Sequence, residues 1–111
     1  MRNDGTTALR VTSETDGPVT VLRLAGELDL ATAGDLREHL RHTLTQGPGL
    51  RRLVVDLAGL EFLDVTGLNA LLEAKPQLAS MGASLSLRRP RPMVRRMLAL
   101  LDLEHELVVE P

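Results

Sequence analysis

Three carboxylates and one hydroxyl are spaced so that they could do chemistry. Asp29 follows an apolar, β-prone segment and Asp56 lies near the end of another; Asp64 stands two residues before Thr66 in the run Phe62-Leu63-Asp64-Val65-Thr66-Gly67-Leu68. Grouped carboxylates can hold Mg²⁺ beside a phosphoaspartate or exchange protons in acid/base catalysis. The first use wants a lysine at a strand end, whereas Lys75, the sole lysine, falls within a predicted helix. The second wants an enclosing pocket, which a chain of 111 residues has little spare length to build. Enzyme chemistry is therefore the weak reading of this acidic rim.

Thr66 offers a different chemistry. Asp64 is a good helix cap, so Thr66 is expected in the first helical turn with its hydroxyl outward, and Gly67 beside it is expected to leave room for another protein's backbone. Phosphorylation there would add about 1.5 to 2 negative charges and three strong acceptors, which a helix N-terminus tolerates and an apolar docking surface does not. The plainer alternative is that Thr66 only starts the helix, as Ser and Thr often do.

Those residues need elements to hold them. Leu9 to Thr15 and Val19 to Leu24 read as two strands joined at Asp16-Gly17-Pro18, the second closing with Gly26-Glu27-Leu28-Asp29-Leu30. Leu36, Leu40 and Leu44 after Thr32 mark an amphipathic helix that ends at Gly47-Pro48-Gly49. Leu53-Val54-Val55-Asp56-Leu57 reads as the central strand, covered on both faces by crossover connections. Asp64 opens a second helix with Leu68, Leu71, Leu72 and Leu78 at helical spacing, ending at Met81-Gly82, and Pro76 should bend or split it near Lys75. Leu85-Ser86-Leu87, a helix from Pro92 to Leu101, and a short strand at Leu107-Val108-Val109 complete the order ββαβαβα(β). This is a single α/β domain over 1–111, with its core over roughly 9–109: a mixed, mostly parallel sheet of four to five strands with packed helices. Ligands of such sheets gather beyond the carboxyl ends of the parallel strands, which selects Asp29, Asp56, and Asp64 with Thr66, on what could be one shared rim.

Composition excludes several classes. No cysteine means no disulfide, thiolate zinc site or thiol catalyst, and Phe62, the sole aromatic residue, leaves bases and sugars almost nothing to stack on. A net charge of -2 gives no global pull toward nucleic acid, and the arginines 88, 89, 91, 95 and 96 read as a solvated edge. His39 and His42 lie three apart without a third ligand, so no metal or cofactor is assigned. Met1 to Arg10 lacks the apolar stretch of a signal peptide and no run approaches the roughly 20 residues of a membrane span, so no membrane association is expected and the expected address is cytoplasmic.

Gly26-Glu27-Leu28-Asp29, Val54-Val55-Asp56-Leu57 and Phe62-Leu63-Asp64-Val65-Thr66-Gly67-Leu68, in this order and at these separations, resemble the STAS domain family, and within it the stand-alone anti-sigma factor antagonists. The likeness runs from about Leu9 to Val109. It implies a non-enzymatic partner switch. The unmodified antagonist binds an anti-sigma factor that is also a serine/threonine kinase and frees the sigma factor; phosphorylation of the hydroxyl residue before the glycine, here Thr66, breaks that complex, and a metal-dependent phosphatase restores it. The candidate partner-binding set is Asp29, Asp64, Val65, Thr66, Gly67 and Asn69, with Asp56 a weaker candidate. This chain departs from the family's usual turn in two ways: Val65 stands where a small hydroxyl residue is common, and the acceptor is Thr. Val65 keeps a rival open, a STAS scaffold or transporter-associated module that binds constitutively.

Overall fold

Asp16-Gly17-Pro18 turns the chain back as its residue types demand, with Gly17 in the left-handed region at φ 60°. Strand β1 (Leu9–Asp16) thereby pairs antiparallel with β2 (Val19–Leu28). The computed structural model describes residues 8–46 and 49–110. Most of the Met1 to Arg10 segment, Gly47 and Pro48 of the expected turn, and Pro111 lie outside the described residues. Helix α1 (Ala33–Leu44), strand β3 (Arg52–Leu63), helices α2 (Val65–Leu72) and α3 (Ala74–Ser80), strand β4 (Ser84–Arg88), helix α4 (Pro92–Leu100) and strand β5 (Val108–Val109) follow. The strands lie in the order β1-β2-β3-β4-β5, and every pair after the first is parallel. The mixed, mostly parallel sheet expected from the sequence is what forms.

That order decides where the core sits. Each crossover from β2 onward steps to the next strand in the same direction, and right-handed crossovers that never reverse put all their helices on one face. Side chains alternating toward that face, Leu22 and Leu24 on β2, Leu53, Val55 and Leu57 on β3, Leu85 and Leu87 on β4, join Leu36, Leu40, Leu68, Leu71, Leu78, Val94 and Leu98 in one buried cluster. Among the described residues the largest fully buried side chains are all leucines. Each contributes about 1.5–3 kcal/mol by leaving water, so an almost ring-free core is adequate. The opposite face carries no helix. Val54 is fully buried yet outside that cluster, and Asp56, Ser86 and Arg88 share its side of the sheet. The expectation that Leu53 to Leu57 is covered on both faces by crossovers is thus corrected: a sheet without a reversal of strand order carries its crossover helices on one face only.

Strand β3 is also longer than its apolar run suggested. It continues past Leu57 to Leu63, and its pairing with β2 slips between Arg23 and Ala25 and again between Gly26 and Glu27. Each slip places an extra residue on β3, so the buried positions Leu57, Leu60 and Leu63 come three apart rather than two. The expected second helix is two helices. Pro76 has no N–H to give to Leu72, and its ring crowds that carbonyl, so the ladder breaks at Glu73, just ahead of the bend expected near Lys75. Pro76 then occupies the third position of α3, where a missing donor costs nothing. Glu73 at the break receives two hydrogen bonds from Arg37 of α1, at 2.8 and 3.1 Å, and these hold its pKa below the usual carboxylate range against the opposing effect of burial.

Candidate functional site

The carboxyl ends of β2 and β3 meet because Leu28 pairs with Leu63, and the two following turns are built from their own side chains. After β2, the Asp29 carboxylate accepts from the backbone N–H groups of Ala31 at 3.0 Å and Thr32 at 3.2 Å. Buried Thr32 donates its hydroxyl to the carbonyl of Glu27 at 2.9 Å and accepts from the Asp29 N–H at 3.0 Å. An Asx turn closed in this way throws Leu30 outward, and the residue is 76% exposed. Leu30 therefore does not close the strand, as its apolar character suggested; β2 ends at Leu28.

After β3, Asp64 is the extended residue that caps α2. One carboxylate oxygen accepts from the Gly67 N–H at 2.8 Å, and the backbone carbonyl accepts from Leu68 at 2.9 Å. The other carboxylate oxygen accepts from the Leu30 N–H at 3.3 Å, while the Asp64 N–H donates to the carbonyl of Leu28 at 3.2 Å. One aspartate thus fixes both the start of α2 and the turn that carries Leu30. Asp29 and Asp64 come together at this end of the sheet. Asp56 does not: it sits opposite Arg23 and Arg88 within the sheet, seven residues before the end of β3, because that strand runs on to Leu63. The single shared rim of three aspartates is accordingly reduced to two.

Thr66 is the second residue of α2 and is half-buried, neither sealed in the core nor fully free. Val65 before it is 50% exposed, Phe62 is 44% exposed, and Asn69, one turn along the helix, is exposed as well. Leu30, Phe62 and Val65 place three large apolar side chains in water around one strand-to-helix junction. Gly67 is buried and serves a different purpose from the one expected. A Cβ there would run into the carbonyl oxygen of Leu28 and lie 2.7 Å from the Leu28 Cγ, so the space that glycine leaves is filled by the protein's own β2. The close approach is intramolecular, and it seats α2 on the sheet.

Residues 11–110 match the family described as Mlab, STAS domain. The chain belongs to the STAS domain family. Among curated relatives, the anti-sigma-F factor antagonist RsfB of Mycobacterium tuberculosis is 38% identical over 64 residues, which cover 58% of this chain and 51% of RsfB. The matched region thus spans about half the length of that relative. Among solved structures, an anti-sigma factor antagonist from Mycobacterium paratuberculosis superposes with a TM-score of 0.77 at 26% identity, covering 93% of this chain and 86% of that one. The anti-sigma factor antagonist SpoIIAA in its unphosphorylated form gives a TM-score of 0.77 at 22% identity over 92% and 89% of the two chains, a likeness of fold.

Within this STAS domain, sequence reasoning finds the junction residues Asp29, Asp64, Val65, Thr66 and Asn69 and misses Leu30 and Phe62 as surface. A signal for Leu30 was present: an apolar residue between Asp29 and the Ala31-Thr32 pair occupies a turn where polar residues are usual. Nothing in the spacing around Phe62 tells a core ring from an exposed one, because the slips in β3 change which face each residue takes. No helix among the described residues is long and apolar enough to cross a membrane.

Proposed function

We propose that this STAS domain is an anti-sigma factor antagonist that docks on an anti-sigma factor kinase through the junction of β3 and α2, and that phosphorylation of Thr66 ends the complex. The observation that carries the reading is the placing of Thr66: a hydroxyl in the first turn of α2, partly open to solvent, beside the exposed side chains of Leu30, Phe62 and Val65. Those apolar groups supply the gain of docking, since apolar side chains that stand in water are stabilised when a partner covers them. Asp29 and Asp64 shape the two turns, and Val65 and Asn69 present outward from α2 on either side of half-buried Thr66. Gly67 acts on the interface indirectly, through the seat of the helix.

Phosphorylation acts on these parts unequally. The α2 N-terminus and its free amides accommodate a phosphate, so the fold survives. A docked partner would have to bury a dianion among apolar side chains next to the Asp64 carboxylate, which costs several kcal/mol unless a cation is supplied. A metal-dependent phosphatase restores the binding form. The names of RsfB and of the solved antagonists support the anti-sigma partner.

The test is labelling and binding together. Incubation with a kinase-type anti-sigma factor and ATP, followed by peptide mapping, should place one phosphate on Thr66, and Thr66→Glu should weaken the complex at least about tenfold, equivalent to 1.4 kcal/mol. An unlabelled Thr66 together with undiminished binding by Thr66→Glu would refute the switch.

A further inference from the structure

The helix-free face of the sheet holds a second organised cluster, which the antagonist reading does not use. Asp56 is 2% exposed there, and what covers it is arginine: Arg89 donates to its Oδ2, and the Arg23 guanidinium stands 3.8 Å away. The Ala58 N–H donates to its other oxygen at 3.0 Å. Burial works to raise the Asp56 pKa and is outweighed by the Arg89 and Ala58 hydrogen bonds and the two positive charges, so the group stays ionised.

Three features show that the arrangement is built. Arg89 has φ 52°, a left-handed backbone uncommon for a side-chain-bearing residue and a recurrent mark of functional sites. Ala58 and Gly59 lie where the pairing of β2 and β3 first slips, and such bulges re-aim side chains beside binding sites. Arg91 donates to the Ala58 carbonyl at 3.1 Å, which pins the bulge to the start of α4. A cleft of about 280 Å³ opens on this spot, lined by Arg10 and Thr12 of β1, Arg23, Asp56, Ala58 and Arg89 among others. Three guanidinium groups against one carboxylate leave a surplus of two positive charges in the lining, partly offset at the rim by Glu14 on Arg23, in a chain of net charge -2. Arg10 has no ion-pair partner among the described residues, and the Arg89 side chain is 64% exposed, so both have donors to spare.

We propose that this cleft binds the dianionic phosphate of a small phosphate monoester. Arg10, Arg23 and Arg89 converge on the anion, and Asp56 is a positioning residue that holds two of them in place before it arrives, so little ordering is left to do on binding. The occupant is small, since the volume falls just short of the roughly 300–1,000 Å³ that drug-sized ligands fill. It is recognised by its phosphate, since no aromatic ring lines the cleft to stack a base.

The experiment is an amide chemical-shift titration of the protein at constant ionic strength with inorganic phosphate, glycerol 3-phosphate, AMP and acetate. Saturable shifts at Ala58, Gly59 and Arg89 are expected with the three phosphates, AMP binding no tighter than glycerol 3-phosphate, and much weaker shifts with acetate. Arg89→Gly, which suits the left-handed backbone, and Arg10→Ala, which breaks no ion pair among the described residues, should each weaken binding about tenfold. Thr66→Ala should leave it unchanged. The proposal is overturned by non-saturable shifts, by acetate matching phosphate, by AMP binding more than tenfold tighter than glycerol 3-phosphate, or by both arginine variants binding as the parent does.

Discussion

Gly67→Ala tests the seating of α2 most directly, because two opposed effects can be weighed. Alanine in place of glycine in a helix ordinarily gains up to about 1 kcal/mol. At position 67 the new methyl group would meet the Leu28 carbonyl oxygen and lie 2.7 Å from the Leu28 Cγ and 2.8 Å from its carbonyl carbon. Overpacking of this kind costs about 1–3 kcal/mol, and more where the obstacle is backbone that cannot rotate away. The Leu28 carbonyl also accepts the Asp64 N–H, so moving it loosens the cap of the same helix. The net expectation is a loss of about 2 kcal/mol, read as a lower urea midpoint with an unchanged slope and a fall in Tm of about 10 °C. Gly34→Ala is the internal control. That glycine lies in α1 with nothing within 4 Å of the added Cβ, so the same substitution should stabilise by roughly 0.5–1 kcal/mol. A neutral or stabilising Gly67→Ala would refute the claim that Gly67 exists to bring α2 against β2.

Three further outcomes follow from the geometry. Asp64→Ala removes the acceptor of both the Gly67 and Leu30 N–H groups and should cost about 1–2 kcal/mol in urea unfolding; a loss below 0.5 kcal/mol would deny it the double role. Leu30→Ala and Val65→Ala should change stability by less than about 0.5 kcal/mol, since both residues are exposed, while weakening capture of the proposed anti-sigma partner; unchanged binding by both would remove these side chains from the proposed interface. Asp56, Glu73 and Glu110 all have native pKa values lowered, with hydrogen bonds from Arg89, Arg37 and Arg88 among the causes. The stability they add is fully present above the unfolded carboxylate range and is lost as pH falls through the lower native values, so urea midpoints should be level from pH 7 to about 5 and decline below about 4. A midpoint that holds to pH 3 would contradict this.

The junction was readable because its chemistry is local. Asp64 caps the helix three residues from Gly67, and Asp29 closes a turn two residues from Ala31, so these two roles lie within a short span of sequence, whereas the bond from Leu30 to Asp64 does not. The sheet was readable for the same reason, through one turn and an alternation of strands with helices. What was not readable depends on pairing across the chain. The slips in β3 are set by its register with β2, which moves Leu60 and Leu63 inward, leaves Phe62 partly outside and carries Asp56 away from the rim. The absence of helices from one face follows from strand order, a property of the whole sheet that no single strand displays. The sequence around Gly67 suggests room for another protein's backbone, whereas the atoms that fill the space belong to Leu28, 39 positions earlier in the chain.

The gap at Glu73 has a mechanical result. An unbroken rod from Val65 to Ser80 would act as a lever, so that any repacking under Leu78 or Gln77 would swing the threonine end in proportion. With the rod cut after Leu72, the short leading piece is set by Leu28, by Asp64 and by Leu68 and Leu71 in the core, and the trailing piece has no continuous helix through which to swing the hydroxyl. The proline that spoils a long helix thereby divides the Thr66 turn from the helix that follows it.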